Sequence, residues 1–244
     1  LISGILISTL GPGLQFLVIG LMYVISFLVL FGASESGQAA SQRKGSLKSN
    51  LKGYIGLIQQ YPVLLVLMCL ASVTEIFGFT HMSLIPVFAK EVLSVGPIGL
   101  GVLTALRQVG GFLGLFALAL LGDYNKKGQL MFYIVVFFGV GQIFLSFSDD
   151  LYLFAIFLLF VNACAMSVDT LYKTLMQQNV PNEHRGRAMG SWVLSIGTAP
   201  VGYLSIGGIA GAFGAPMAVL FNGIMLTLAG VSTFICLPKI RKLP

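Results

Sequence analysis

Apolar stretches of bilayer-spanning length follow one another along this chain with little interruption. That recurrence limits the fold more than any other feature. Hydropathy places apolar segments at 1–10, 14–31, 62–88, 97–121, 129–147, 152–177, 189–212 and 216–237. A helix needs about 20 apolar residues to cross a bilayer. The fold class expected is therefore an all-α membrane protein. Charged residues make up 9% of the chain, against about 25% in soluble domains. A net charge of +6 would otherwise suggest nucleic acid, but no nucleic-acid partner is expected. The basic residues sit in short loops, where positive charge sets membrane orientation. Cys69, Cys164 and Cys236 lie inside apolar runs without paired or metal-ligand spacing, and are read as small buried hydrophobes.

The loops alternate in charge. One set holds Arg43, Lys44, Lys48 and Lys52, then Lys126 and Lys127, then Arg185 and Arg187, then Lys239, Arg241 and Lys242. The other set holds Lys90, balanced by Glu91, and the acidic pair Asp149-Asp150. Eleven basic residues against one predict that the first set, the linker and the C-terminus are cytoplasmic. Gly11-Pro12-Gly13 is predicted to form the first turn, and Phe213-Gly214-Ala215-Pro216 the last. The first segment starts without Met, a charged leader or a cleavage site. It is read as a truncated helix whose beginning lies upstream.

Residues 33–60 differ from the rest. "GASESGQAASQRKGS" has the small, polar composition of a linker. In the residues after it, Leu47, Leu51, Tyr54, Ile55 and Ile58 recur at helical spacing. The stretch is either a short amphipathic helix on the cytoplasmic surface or a linker with some helicity.

On either side of this linker the chain is similar to itself. At an offset of 203, Gly4 falls on Gly207, Gly11 on Gly214, Gly20 on Gly223 and Met22 on Met225. Two copies with the same topology resemble the parallel halves of major facilitator transporters, which have six helices each. The resemblance continues in "YPVLLVLMCL", "SLIPVFAKEVLSVGPIGLGVLTA", "LGDYNKKGQ" and "VPNEHRGRAMGSW". These look like the second half of major facilitator exporters, nearest to the bacterial branch of enterobactin exporters and related multidrug efflux proteins. That branch has the pattern Val-Pro-x-x-x-Arg-Gly-Arg after its tenth helix, matched here by Val180, Pro181, Arg185, Gly186 and Arg187. The family's cytoplasmic loop motif, Gly-x-x-x-Asp-Arg-x-Gly-Arg-Arg in type, is only partly kept. Asp123 fits, Ala119 replaces the Gly, Tyr124 replaces the Arg, and Lys126-Lys127 form the basic end.

The resemblance implies a major facilitator fold with three regions. Residues 1–32 would end the N-terminal bundle with its last one and a half helices. Residues 33–60 would be the cytoplasmic linker, and 61–244 the six-helix C-terminal bundle. It also implies a secondary active transporter in a bacterial cytoplasmic membrane, exporting a siderophore or drug-like molecule in exchange for protons. Uptake, lysophospholipid movement, or a non-transporting receptor or scaffold on the same fold are alternatives. The expected partners are a small-molecule substrate, protons and the lipid bilayer. The protein is expected to act as a monomer, with no cofactor and no metal. An enzyme is not expected, because His81 and His184 lie on separate segments and no nucleophile–base spacing recurs.

Charge inside a membrane helix is expensive, about 2.5–3.5 kcal/mol on insertion scales, and marks a functional candidate. Glu75, Arg107, Asp169 and Lys173 are so placed. Asp169 and Lys173 are four apart, and Asn162 precedes Asp169 by seven, so all three share one helix face. Asp169 is either a coupling carboxylate tuned by Lys173 or half of a structural ion pair. Glu75 lacks a local partner, as a proton carrier would. Arg107 could bind an anionic substrate group or neutralise Glu75 or Asp169. Arg185 and Arg187 are either gate residues that pair with Asp123, beside Lys126 and Lys127, or with helix C-terminal carbonyls, or they are ordinary positive charge on a solvated loop. Gly197, Pro200 and Gly202 make the seventh segment deformable. Pro200 is expected to kink it, in a pattern that resembles the glycine–proline helix of facilitator antiporters.

Overall fold

A computed structural model describes residues 2–32 and 47–243, with side chains for 6–9, 11–32 and 53–243. Arg43 and Lys44 of the expected linker, and the side chains of Lys48 and Lys52, lie outside the described residues. Every regular element described is helical. Among the described residues, seven helices are long and apolar enough to cross a membrane: Gly11–Phe31, Pro62–Val92, Gly96–Leu120, Lys127–Ser146, Leu151–Gln178, Asn182–Phe213 and Ala215–Cys236. In lipid a helix succeeds because it satisfies its backbone within one segment.

Helix α1 (Ile2–Phe31) is two helices joined at Gly11, where φ is 77°. Only glycine takes such a value readily, so the expected turn falls at this residue. Helix α2 (Leu47–Gln60) follows the linker. Among the described side chains its packing face keeps Tyr54 of the expected stripe and adds Leu57. Leu57 is buried, while Ile55 is half exposed. The Tyr54 hydroxyl donates to Ser191 Oγ at 2.8 Å. The helix is docked by tertiary contacts, and these choose its inward face together with its own apolar periodicity.

The segment expected as one helix over 62–88 is broken. Helix α3 (Pro62–Phe77) stops at Gly78. A 3₁₀ stretch, Phe79–Leu84, follows, then the short α4 (Ile85–Val87) and a π turn, Phe88–Val92. The Gly78 carbonyl lost to the ladder is satisfied twice. His81 Nδ1 lies 2.6 Å from it and Gln142 Nε2 donates to it at 2.7 Å. A Cβ at Gly78 would sit 2.7 Å from the Phe138 ring, so glycine is needed where the break meets a neighbouring helix.

The remaining spans are α5 (Gly96–Leu120), α6 (Lys127–Ser146), α7 (Leu151–Gln178), α8 (Arg185–Ile196), α9 (Ala199–Phe213) and α10 (Ala215–Cys236), closed by the short α11 (Pro238–Arg241). α5 packs on α7 through Gly110 and Gly114, where an added Cβ would strike the carbonyls of Leu159 and Ala163. Small residues four apart let membrane helices approach this closely. The core between the helices is built from residues such as Leu67, Phe132, Phe138 and Leu158. Of the cysteines, Cys164 is buried, but Cys69 and Cys236 are exposed on the helix surfaces. Large apolar side chains such as Phe16, Leu30 and Phe112 also face outward, which lipid permits and water would not.

Candidate functional site

Three helices bring the intramembrane charges together. Glu75 comes from α3, Asp169 and Lys173 from α7, and Trp192 from α8. One turn of α7 sets the Asp169–Lys173 pair, with Nζ 2.6 Å from Oδ2. Asp preceding Lys by four is the favourable order along a helix. The other carboxylate oxygen accepts from the Trp192 indole nitrogen at 2.7 Å. The Lys173 ammonium also lies over the Trp192 ring, 4.1 Å from its centroid. Asp169 thus holds an ammonium and an indole N–H at once, and those two groups touch each other. The pair is only partly withdrawn from solvent, with side chains 33% and 13% exposed for Lys173 and Asp169.

Glu75 lies within electrostatic reach of Asp169 and Lys173. Among the described residues it makes no ion pair and no hydrogen bond. The residue before it ties α3 to α7, because Thr74 Oγ1 and the Tyr172 hydroxyl are 2.9 Å apart. The site therefore gathers two carboxylates and one ammonium, leaving one negative charge in excess when both acids are ionised. Such a set can take up and release a proton or meet a cation without any further charged group.

The other expected members stand apart. Asn162 is buried and donates to the Leu158 carbonyl of its own helix at 2.9 Å. Arg107 makes no ion pair with Glu75 or Asp169. Its nearest polar partner is Gln108 Oε1 at 3.4 Å, and its Nε has none. Its electrostatic neighbour is His81 on the 3₁₀ stretch. Trp192 and Tyr172 were not singled out by the sequence. Trp192 is the one tryptophan of the chain and lies a turn or two into a span, the depth at which an aromatic normally reads as an interface anchor.

At the basic face the expected pairing of Arg185 or Arg187 with Asp123 is not formed. Asp123 is taken by Lys127, four residues on, at 2.6 Å. That hydrogen bond, and then the lysine charge, hold its carboxyl below its ordinary value of 3.8. Lys126 and Arg185 are exposed. Residues 185 and 187 lie in the first turn of α8, where the helix dipole disfavours positive charge. The Arg187 guanidinium instead lies against Gly53 of α2, 3.6 Å from where a Cβ would stand. Along the seventh segment, α8 ends at Ile196 and α9 begins at Ala199, with Gly197 and Thr198 between them. Pro200 sits in the first turn of α9 and has no N–H to bond across the gap. Gly202 meets α3, where an added Cβ would be 2.7 Å from the Ile76 carbonyl oxygen, one residue beyond Glu75.

Seven spans among the described residues, three of which carry such a cluster, define a polytopic helical membrane protein with charged side chains inside its spans. The family model of the Major Facilitator Superfamily matches residues 1–190 and again 67–244, and the chain belongs to that family. It is 25% identical over 245 residues to the multidrug efflux pump Tap of Mycolicibacterium fortuitum, covering 99% of this chain and 60% of that protein. It is also 25% identical over 241 residues to the uncharacterized MFS-type transporter YvqJ of Bacillus subtilis (strain 168), covering 94% of this chain and 56% of that protein. The chain thus spans little more than half the length of these relatives. No solved structure matches.

Proposed function

We propose that this chain is part of a secondary active transporter that exports a small, partly apolar molecule in exchange for protons. The observation that carries this reading is Glu75, a carboxyl inside a span with no partner among the described residues, within electrostatic reach of an Asp169 already bound to Lys173 and Trp192. Glu75 is the proton carrier. Asp169 responds to it through the shared field, and Lys173 keeps the pair from holding two bare negative charges. The name of the Mycolicibacterium relative, an efflux pump, supports export. The eleven-to-one excess of basic residues on one face supports a cytoplasmic linker and C-terminus. Substrate binds near the midplane between two helical halves, which rock around it. The break at Gly197–Thr198 and the proline after it support α8 and α9 as the place where bending occurs. Arg187, seated on Gly53, acts at the linker helix instead of at Asp123.

The test uses the full-length protein in inverted membrane vesicles with an imposed proton gradient. Lipophilic cations and siderophores are added one at a time. A substrate-dependent fall in the gradient, lost in Glu75→Gln and in Asp169→Asn while both variants remain in the membrane, is the expected result. Full gradient-driven transport by both variants would sink the coupling assignment.

A further inference from the structure

At the basic face an apolar groove opens between the first turn of α3 and the end of the chain. Its volume is about 360 Å³, and Pro62, Val63 and Val66 form one wall while Cys236, Leu237 and Lys239 form the other. Its depth follows from the spans. Pro62 is the first residue of one crossing and Cys236 the last of another. The groove therefore lies where hydrocarbon gives way to headgroups.

Its basic rim is fixed in place. Ile240 of α11 is buried, and the Gly128 N–H donates to the Leu243 carbonyl at 3.2 Å. A side chain at Gly128 would strike the Ile240 carbonyl, so the terminal segment is seated directly on the backbone of α6. That seating turns Lys239 and Lys242 outward, both exposed, and sets the Arg241 guanidinium over the Phe234 ring at 4.9 Å. Among the described residues none of these three cations has an acidic partner. The segment Pro238 to Leu243 contains no acidic residue. An apolar channel at headgroup depth, with the unneutralised Lys239 in its lining and the exposed Lys242 three residues on, matches one molecule that carries both features.

We infer that this groove binds an anionic phospholipid, with its phosphate at Lys239 and Lys242 and an acyl chain lying along Val63, Val66 and Leu237. Basic residues near a membrane surface attract anionic headgroups with about fivefold in affinity for each Lys. The apolar walls add the part that a free phosphate cannot use.

Native mass spectrometry of the full-length protein tests this, with phosphatidylglycerol and phosphatidylcholine of identical acyl chains as probes. Phosphatidylglycerol is expected to be retained in preference to phosphatidylcholine. The Lys239→Gln/Lys242→Gln double variant is expected to lower its affinity about 25-fold, two steps of about fivefold. Val66→Trp fills the groove without touching the lysines, and is expected to lower retention of the same lipid. Both lysines are exposed and without partners, so the lysine variant keeps the test valid if Val66→Trp fails to fold. Equal retention of the two lipids, or unchanged phosphatidylglycerol affinity in the lysine variant, overturns the assignment. Competition by glycerol phosphate as effective as by the intact lipid also overturns it, because the site would then read phosphate alone.

Discussion

Replacing Trp192 with Phe separates what the indole N–H does from what the ring does. The N–H donates to Asp169 Oδ1 at 2.7 Å. Hydrogen bonds to charged groups contribute about 1.5–3 kcal/mol. The phenyl ring keeps most of the surface beneath the Lys173 ammonium, where a partly exposed cation–π contact contributes about 0.5–1 kcal/mol. The variant is therefore expected to lose about 1.5–3 kcal/mol, chiefly from one bond. Equilibrium unfolding of the full-length protein in mixed micelles reads this loss. A second background isolates its cause, because Asp169→Leu has a similar shape and no acceptor. There Trp192→Phe is expected to cost less than about 0.5 kcal/mol, as a double-mutant cycle requires when the partner is gone. An equal cost in both backgrounds would refute the reasoning and assign the effect to packing.

Three further outcomes follow from contacts elsewhere. Gly202→Ala forces a methyl to within 2.7 Å of the Ile76 carbonyl and is expected to destabilise by about 1–3 kcal/mol. Gly208→Ala on the same helix meets open space and is expected to be tolerated, so comparable thermal stability of the two variants would contradict the close approach of α9 to α3. Tyr54→Phe removes the bond to Ser191 at an expected cost of about 0.5–1.5 kcal/mol. α2 itself is expected to be cut faster in limited proteolysis, and an unchanged cleavage rate would mean that it is held without Tyr54. Asp123 is held below its ordinary value of 3.8 in the folded state. Its contribution is complete above that value and is lost as pH falls through the lower folded value. Asp123→Asn is expected to remove this small acid-side dependence from a thermal-stability profile at low salt. A profile identical to the parent's would mean that Lys127 does not hold it in solution.

The spans were legible because bilayer thickness imposes one length on every crossing: seven of the eight sequence segments fall on spans, 62–88 and 189–212 with interruptions, and 1–10 is the part of α1 before Gly11. Glu75, Asp169 and Lys173 were conspicuous for the same reason, since a charge amid some 20 apolar residues has no other explanation in composition. Helical spacing alone did not bring Asn162 into the cluster. Its angle on α7 is right, but it lies two turns away and bonds its own backbone. The break at Gly78 was hidden because "ASVTEIFGFTHMSLIPVF" is apolar and continuous, and one of the groups that satisfies the freed Gly78 carbonyl is a glutamine on another helix, Gln142. On α2 the spacing singled out Tyr54, which docks on Ser191, but not Leu57, which is buried. Periodicity reports one helix's apolar stripe, whereas the docked face also meets Met68 of α3 and Ser191 of α8. Trp192 carried no signal of its own, because its partner is 23 residues away on a different helix.

The hydrogen bonds of α8 show why this helix belongs to the site and not merely beside it. Within five residues it is fixed in three directions. Ser191 accepts from Tyr54 of α2, Trp192 donates to Asp169 of α7, and Ser195 donates to the Met68 carbonyl of α3 at 3.0 Å. Its N-terminus follows a 3₁₀ turn and its C-terminus meets the Gly197–Thr198 break. Twelve residues between two interruptions move most cheaply as one rod, because bending within the rod breaks ladder bonds and pivoting at its ends does not. Rotating that rod enough to part Trp192 from Asp169 also strains the bonds to α2 and α3 on either side. Asp169 of α7, Tyr54 of α2 and the Met68 carbonyl of α3 are thus tied through one short helix, by contacts about a turn apart.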